Sequence, residues 1–356
     1  MSWILENVPL APFTTLGIGG PARFLAEATE ENRVLEALDF ADKRGIPVFI
    51  LGGGSNTLIA DSGFPGLVLR VALCGIRQHG SGQSGTFTAA AGEDWDPMVR
   101  IAVERNWAGI ECLSGIPGTV GGTPVQNVGA YGEEVSEVIV SVRVLDREKR
   151  SILELSNAQC GFTYRTSLFN TTMRDRYIVL SVTYALRVNG KPRIEYADLQ
   201  RYFAGRPGDP SLTDVRQAVL SIRAGKAMLL ISGDPDSRSA GSFFKNPIVS
   251  EAAYLEIQEA ARRGGFLSPA ETLPRYKAPV GNVKVPAAWL IERSGFPKGY
   301  ARGRVALSSK HTLALVNRGG ATAKDVLNLA REIQTGVKTT FGVDLTPEPV
   351  FVGFDS

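Results

Sequence analysis

Histidine and cysteine are scarce: His79 and His311, with Cys74, Cys112 and Cys160, are all that this 356-residue chain has of either. Neither histidine lies in a metal-like spacing and no CxxC occurs, which argues against a zinc centre or a two-histidine iron site. An odd, sparse cysteine count fits a reducing compartment without a disulfide framework. No apolar run reaches the length of about 18 residues that a spanning helix needs, so no membrane insertion is expected. The opening MSWILENVPLAPFTT has no basic start, and Glu6, Asn7 and Pro9 break its apolar stretches; it does not read as a secretory signal. GxxxxGK[ST] is absent, which excludes a P-loop, and so is the G-x-S-x-G elbow of serine hydrolases. His79, in a Gly/Ser stretch, reads as a solvated loop residue. Lys+Arg 39 against Asp+Glu 36 gives a net charge of +3, too mild for a nucleic-acid partner or a membrane surface. A local basic pocket for a small anion remains compatible with it. The expectation is a soluble cytoplasmic protein of undetermined oligomeric state.

What the chain does have is an ordinary globular composition, 44% hydrophobic and 21% charged, and enough length for two or three domains. RFLAEA (23–28) reads as a strand, TEENRVLEALDFADKRG as a helix capped by Thr29 and stopped at Gly45, and PVFIL and LVLRVAL (67–73) as strands. Together they make a βαβ-type unit. Residues 86–190 are richer in short strands, with one helix around 95–106, and a polar, Pro/Gly-bearing stretch at 189–214 suggests a boundary. Near the end, Val326, Leu329, Ala330, Ile333 and Val337 fall at helical spacing behind Thr322, an N-cap by residue type, and the helix stops at Gly342 before the strand VFVGF. The class is α+β with segregated sheets.

Two glycine-rich loops invite a phosphate-bearing ligand. GIGGPA (17–22) matches G-x-G-x-x-A, but a strand rather than a helix follows it, against a dinucleotide fingerprint. LGGGSN (51–56) leaves an apolar strand directly, and its glycines let N–H groups converge as an anion nest. SGIPGTVGGTPVQNVGAYG (114–132) has six glycines and can lie against a large flat ligand.

LGGGSN, SGIPG (114–118), PVQNVGAYG (124–132), YRTSLF (164–169), GSFFKNP (241–247) and TPEP (346–349) resemble, in this order, the UDP-N-acetylenolpyruvoylglucosamine reductases (MurB). The resemblance runs from residue 12 to the last strand. It implies a vanillyl-alcohol-oxidase-type FAD-binding domain in two lobes, residues 1–73 and 74–215, plus a smaller α+β substrate domain, residues 216–356. Non-covalent FAD would be held by Gly52, Gly53, Gly54, Ser55, Asn56, Ser114, Gly115, Ile116, Pro117, Gly118, Gly121, Asn127, Gly129, Ala130 and Tyr131. The family's catalytic arginine falls on Arg165, its serine proton donor on Ser242 and its C-terminal glutamate on Glu348. Tyr196, Arg223, Lys226 and Asn246 would bind the substrate. Tyr196 places the chain with the longer family type, and Thr166 stands where many members have an acid. GSFFKNP itself reads as a buried strand.

The implied reaction passes a hydride from NADPH by way of FAD to the C3 of an enolpyruvyl ether in a nucleotide sugar. Arg165 offers a planar fork to the substrate carboxylate, where negative charge develops. Glu348 helps if burial raises its pKa enough to keep a proton. Ser242 needs position rather than activation, because an enolate carbon is basic enough to take a hydroxyl proton; water or Lys245 would restore it. Two rivals are a flavin oxidase of the same fold and an idle nucleotide-sugar-binding module. Ser55-Asn56, where many such oxidases tether FAD through histidine, counts against the first, and intact Arg165, Ser242 and Glu348 against the second.

Overall fold

The computed structural model describes residues 3–80 and 84–354. The chain divides into two compact units that do not follow chain order. The first comprises Met1–Val8, Pro21–Gly54 and Phe64–Gly225; the second comprises Pro9–Gly20, Ser55–Gly63 and Lys226–Ser356.

In the first unit, strands Pro21–Ala28 and Val48–Leu51 both run parallel to Phe64–Val71, which lies between them, and Ile4–Pro9 completes a four-stranded sheet. The crossover is helix α1 (Glu31–Asp42), which buries Val34, Ala37, Leu38 and Ala41 on one face. Its N-cap is Glu30, with no side-chain cap bond, rather than Thr29. Gly45 ends it as expected: at φ +60° it lets the Gly45 and Ile46 amides donate back to Asp42 and Ala41. A second, antiparallel sheet has the order Ser151–Ser156, Ile139–Asp146, Tyr177–Ala185, Thr86–Ala90, Ile76–Gln78. Helix α2 (Trp95–Glu104) buries Trp95 beside Tyr184, whose hydroxyl meets Thr123 Oγ1 at 2.8 Å, so the buried phenol keeps a polar partner. His79 is not simply solvated: its Nε2 lies 2.7 Å from Thr88 Oγ1.

The polar stretch at 189–214 is not bare linker. It contains helix α3 (Ala197–Phe203) and the start of helix α4 (Leu212–Gly225), and the first unit continues to the end of α4. Val215, Ala218 and Val219 give α4 an apolar stripe that packs with Leu199 and Tyr131.

The second unit packs helices α5 (Glu251–Arg263), α6 (Ala287–Arg293) and α7 (Ala323–Phe341) with an antiparallel sheet of Ala301–Arg302, Val305–Leu307 and Leu315–Asn317. Thr322 and Asp325 form a reciprocal capping box on α7, Gly342 closes it at φ +71°, and all five residues expected on its apolar face are buried. Strand Val350–Val352 pairs in parallel with Thr57–Ile59. GIGGPA ends against this region: a Cβ on Gly20 would lie 2.1 Å from the Asp61 carbonyl oxygen, so close backbone approach demands that glycine.

GSFFKNP is not a strand. It makes one isolated bridge, Phe244 to Pro347, although Phe243 and Phe244 are both fully buried. Successive strand residues point to opposite faces. Here the two rings meet edge to face at 5.3 Å in one core, which needs an irregular backbone.

Candidate active site

In the first unit the two glycine loops touch. A Cβ on Gly53 would sit 2.5 Å from the Gly118 Cα, so only glycine lets the backbones come this close. The second loop is tied to the start of α2. Trp95 N–H donates to the Gly118 carbonyl at 3.0 Å, and Gly115 N–H donates to Asp96 at 2.5 Å. Asp96 also takes a two-pronged bond from Arg216 of α4, at 2.7 and 2.8 Å. Burial pushes the Asp96 carboxyl up, but Arg216 and the Gly115 amide more than offset this and hold it below its ordinary value. No acceptor among the described residues takes the main-chain N–H of Gly53, Gly54, Ile116, Gly118 or Thr119. Ser114, by contrast, is buried and donates its hydroxyl to Glu111 O.

The strand pair Gly129–Ala130 and Glu133–Glu134 follows, joined by Tyr131 and Gly132. Both turn residues have positive φ, +50° and +91°, as a two-residue hairpin of this twist requires. For a buried tyrosine this is a backbone conformation few side chains adopt. Its ring meets Tyr196 edge-on at 5.5 Å, and burial pushes its hydroxyl up to about 12. Arg223, buried on α4, lies close to Tyr131 and Asp96, and desolvation lowers its pKa.

Arg165 sits in a tight turn in which Thr163 and Thr166 exchange backbone bonds. It too has positive φ, +54°, and its guanidinium donates to the Gly129 carbonyl at 2.8 Å. Asn127 is buried and holds this turn: its amide donates to Thr163 O and Glu134, and its oxygen accepts from Ser136 N–H. Ser167 donates to Val125 O at 2.6 Å and caps the next helical turn. Asn127 and Ser167 thus set the position of Arg165.

In the second unit the Phe243 carbonyl accepts the Glu348 N–H at 2.9 Å, which ties the neighbour of Ser242 to Glu348. The Ser242 hydroxyl has no hydrogen-bond partner among the described residues, and the side chain is half-buried. Glu348 is also half-buried, rather than enclosed as expected. Asn56 reaches the same knot, donating to the Glu348 carbonyl at 3.3 Å and accepting the Val350 N–H. Thr15 donates to the carbonyls of Ser55 and Ser239 and so anchors the loop bearing Ser55. Asn246 accepts the Ala287 N–H at 2.9 Å and holds the start of α6. Lys226 is half-buried at the first residue of this unit.

The sequence motifs did not point to Asp96, Arg216, Thr15, Glu111 or Glu133. Acids at a helix start or in a glycine loop read as solvated until their partners from distant segments are known.

Residues 22–156 match a family model described as an FAD binding domain, and residues 234–352 match UDP-N-acetylenolpyruvoylglucosamine reductase, C-terminal domain. The UDP-N-acetylenolpyruvoylglucosamine reductase of Thermobifida fusca is 48% identical, across 98% of this chain and 98% of that protein. The chain belongs to the UDP-N-acetylenolpyruvoylglucosamine reductase family. The Streptomyces coelicolor reductase is 46% identical over 98% of this chain and 90% of its own. The crystal structure of UDP-N-acetylenolpyruvylglucosamine reductase (MurB) from Thermus caldophilus shares the fold, with a TM-score of 0.65 at 24% identity and 98% coverage of each chain. The architecture is therefore an FAD-binding domain of the vanillyl-alcohol-oxidase type plus the C-terminal domain of this reductase family.

The first unit fits the flavin that this family implies. The Gly53–Gly118 approach is a cradle that one Cβ would fill, and the unpaired amides beside it supply hydrogen-bond donors of the kind a diphosphate requires. Among the described residues, no helix is long and apolar enough to cross a membrane, and no group of three or more His, Cys, Asp or Glu side chains could hold a metal ion.

Proposed function

We infer that the protein reduces UDP-N-acetylglucosamine enolpyruvate to UDP-N-acetylmuramate, a step in peptidoglycan synthesis, with FAD as cofactor and NADPH as reductant. The observation that carries this reading is 48% identity over nearly the whole of both chains to a reductase of that name. Neither the oxidase nor the idle binding module has comparable support.

Bound FAD supplies hydride transfer between NADPH and the enolpyruvyl group. Gly52–Gly54, Ser55, Asn56, Ser114–Gly118, Gly121 and residues 129–131 would hold it, mainly through main-chain groups, while Asn127 keeps the adjoining turn in place. Arg165, fixed by its left-handed backbone and by the Gly129 carbonyl, orients the substrate carboxylate and stabilises the charge that develops there. Ser242 then gives its proton to C2. A hydroxyl without a protein partner suits that task, because no existing hydrogen bond has to break first. Glu348 acts beside it on the enol form. Tyr196, Arg223, Lys226 and Asn246 are assigned to the nucleotide-sugar substrate, the cations facing its diphosphate. The lobes 1–73 and 74–215 and the substrate domain 216–356 complete the assignment, and the setting is the cytoplasm, where the product would serve cell-wall growth and division.

An anaerobic two-stage titration tests this. NADPH should bleach the flavin, and the enolpyruvyl sugar nucleotide should restore its colour. Ser242→Ala should preserve the first stage and block net product formation. Restoration of colour by oxygen or a saturated sugar nucleotide, but not by the enolpyruvyl compound, would refute the assignment.

A further inference from the structure

Two buried acids, Glu133 on the Tyr131 hairpin and Glu111 on the turn it bonds to, have no part in the proposed reaction. Glu111 and Glu133 are 0% and 2% exposed. Glu111 accepts the Gly109 N–H at 2.6 Å and the Arg193 N–H at 3.4 Å. Glu133 accepts the Cys112 N–H at 2.9 Å through one oxygen, while its other oxygen is buried without a partner among the described residues. Two carboxylates cannot both stay charged in such a site. A single proton between them turns the orphan oxygen into a donor and cancels one charge.

We propose that Glu111 and Glu133 share one proton, and that this proton seats the hairpin of residues 129–134 and thereby positions Arg165 and Tyr131. The identification of Arg165 and Tyr131 as site residues rests on the function proposed above. The connection is short. Glu133 pairs with Ala130 across the hairpin, Ala130 lies between Gly129 and Tyr131, and Gly129 is the residue whose carbonyl holds the Arg165 guanidinium. Two-residue strands joined by a two-residue turn have little stability of their own. Glu133 therefore acts as a bolt between the hairpin and the turn Glu111–Leu113.

The charged surroundings favour the shared proton. Burial and then the Glu111 charge push Glu133 up to about 8 from its ordinary 4.5, and Glu137 adds to this, while the Cys112 amide opposes it. Arg193, on the segment before α3, also feels Glu133, but its guanidinium is bonded to Glu137 and the Gly132 carbonyl. Glu134, on the same strand, is bonded to Asn127. The Cys112 thiol is itself driven upward by burial and stays neutral. From α3 and α4, Asp198 and Arg223 act on Tyr131 rather than on the pair. Raising the pH removes the shared proton, sets two buried carboxylates against each other and loosens the hairpin.

The test uses the flavin-loaded protein from about pH 6 to about pH 9. Infrared spectra should show a protonated-carboxyl band at neutral pH that fades on the alkaline side and is missing in Glu133→Gln. Hydrogen exchange of residues 127–134, corrected for intrinsic rate, should quicken over the same interval in the wild type and stay flat in the variant. The wild-type kcat should fall about tenfold per pH unit above the midpoint, and the variant should lack that limb. Glu111→Gln places a permanent donor on the other side of the pair and serves if Glu133→Gln does not fold. Absence of the band at neutral pH, its survival in both variants, or pH-independent exchange in the wild type would overturn the proposal. Failure to reduce an enolpyruvyl substrate would silence only the kinetic reading, because the infrared and exchange measurements need no substrate.

Discussion

Gly53→Ala probes the point where the two glycine loops proposed to hold the flavin meet. The new Cβ would lie 2.5 Å from the Gly118 Cα, 3.0 Å from its carbonyl carbon and 3.2 Å from the Thr119 nitrogen, where ordinary contact begins at 3.4 Å. All three atoms are backbone, so no rotamer change relieves the clash and the loops must separate. Loop 114–121 resists this, because Trp95 and Asp96 of α2 hold it at Gly118 and Gly115. Overpacking of this kind costs about 1–3 kcal/mol. For a unit of about 200 residues that is a drop in Tm of roughly 2–12 °C. Flavin affinity should fall at least about tenfold, equivalent to about 1.4 kcal/mol, because the cradle is the altered element. The assay is the flavin-to-protein absorbance ratio after extensive dialysis, paired with a thermal melt. Gly122→Ala is the control: it lies in the same loop, with nothing within 4 Å of its added Cβ. Flavin retention by Gly53→Ala at the wild-type level, or equal loss in Gly122→Ala, would refute the reasoning.

Three further outcomes follow from single contacts. Thr322→Ala breaks the reciprocal cap of α7 and should cost about 1 kcal/mol in urea denaturation, with Thr322→Ser recovering most of it. Phe243→Ala empties a fully buried ring position and should cost about 3–5 kcal/mol, seen as a lower urea midpoint. The folded-state pKa of Asp96 is depressed, so its contribution to stability is present above the unfolded value of about 3.8 and is lost as pH falls through the folded one. Asp96→Asn should therefore lower stability at neutral pH and flatten the loss on acidification, measured by urea melts between about pH 7 and about pH 3.

Elements governed by neighbours in sequence were legible from residues alone. The α7 face, its Thr322 cap and its Gly342 stop depend on 3.6-residue spacing and local hydrogen bonds, and all were found where expected. Gly45 likewise ended α1, whereas at its other end the N-cap fell on Glu30 rather than Thr29, since an N-cap can shift by a residue when no side chain fixes it. GSFFKNP misled because paired aromatics report burial but not backbone shape; Phe243 bonds to Leu313 and Glu348, and Lys245 to Thr346, all far along the chain.

The motifs alone marked the residues proposed for chemistry: Arg165 in YRTSLF, Ser242 in GSFFKNP, Glu348 in TPEP and the two glycine loops. Tertiary structure decided what holds them. Arg165 depends on the Gly129 carbonyl, Ser242 is tied through Phe243 to Glu348, and Gly53 is required by Gly118. It also buried Glu111 and Glu133, two ordinary acids by sequence, around one turn, with Glu133 on the Cys112 N–H next to Glu111. The physical reason is one of range. Propensity, capping and periodicity act over a few residues, whereas burial, charge pairing and close backbone approach depend on segments that only the folded chain brings together.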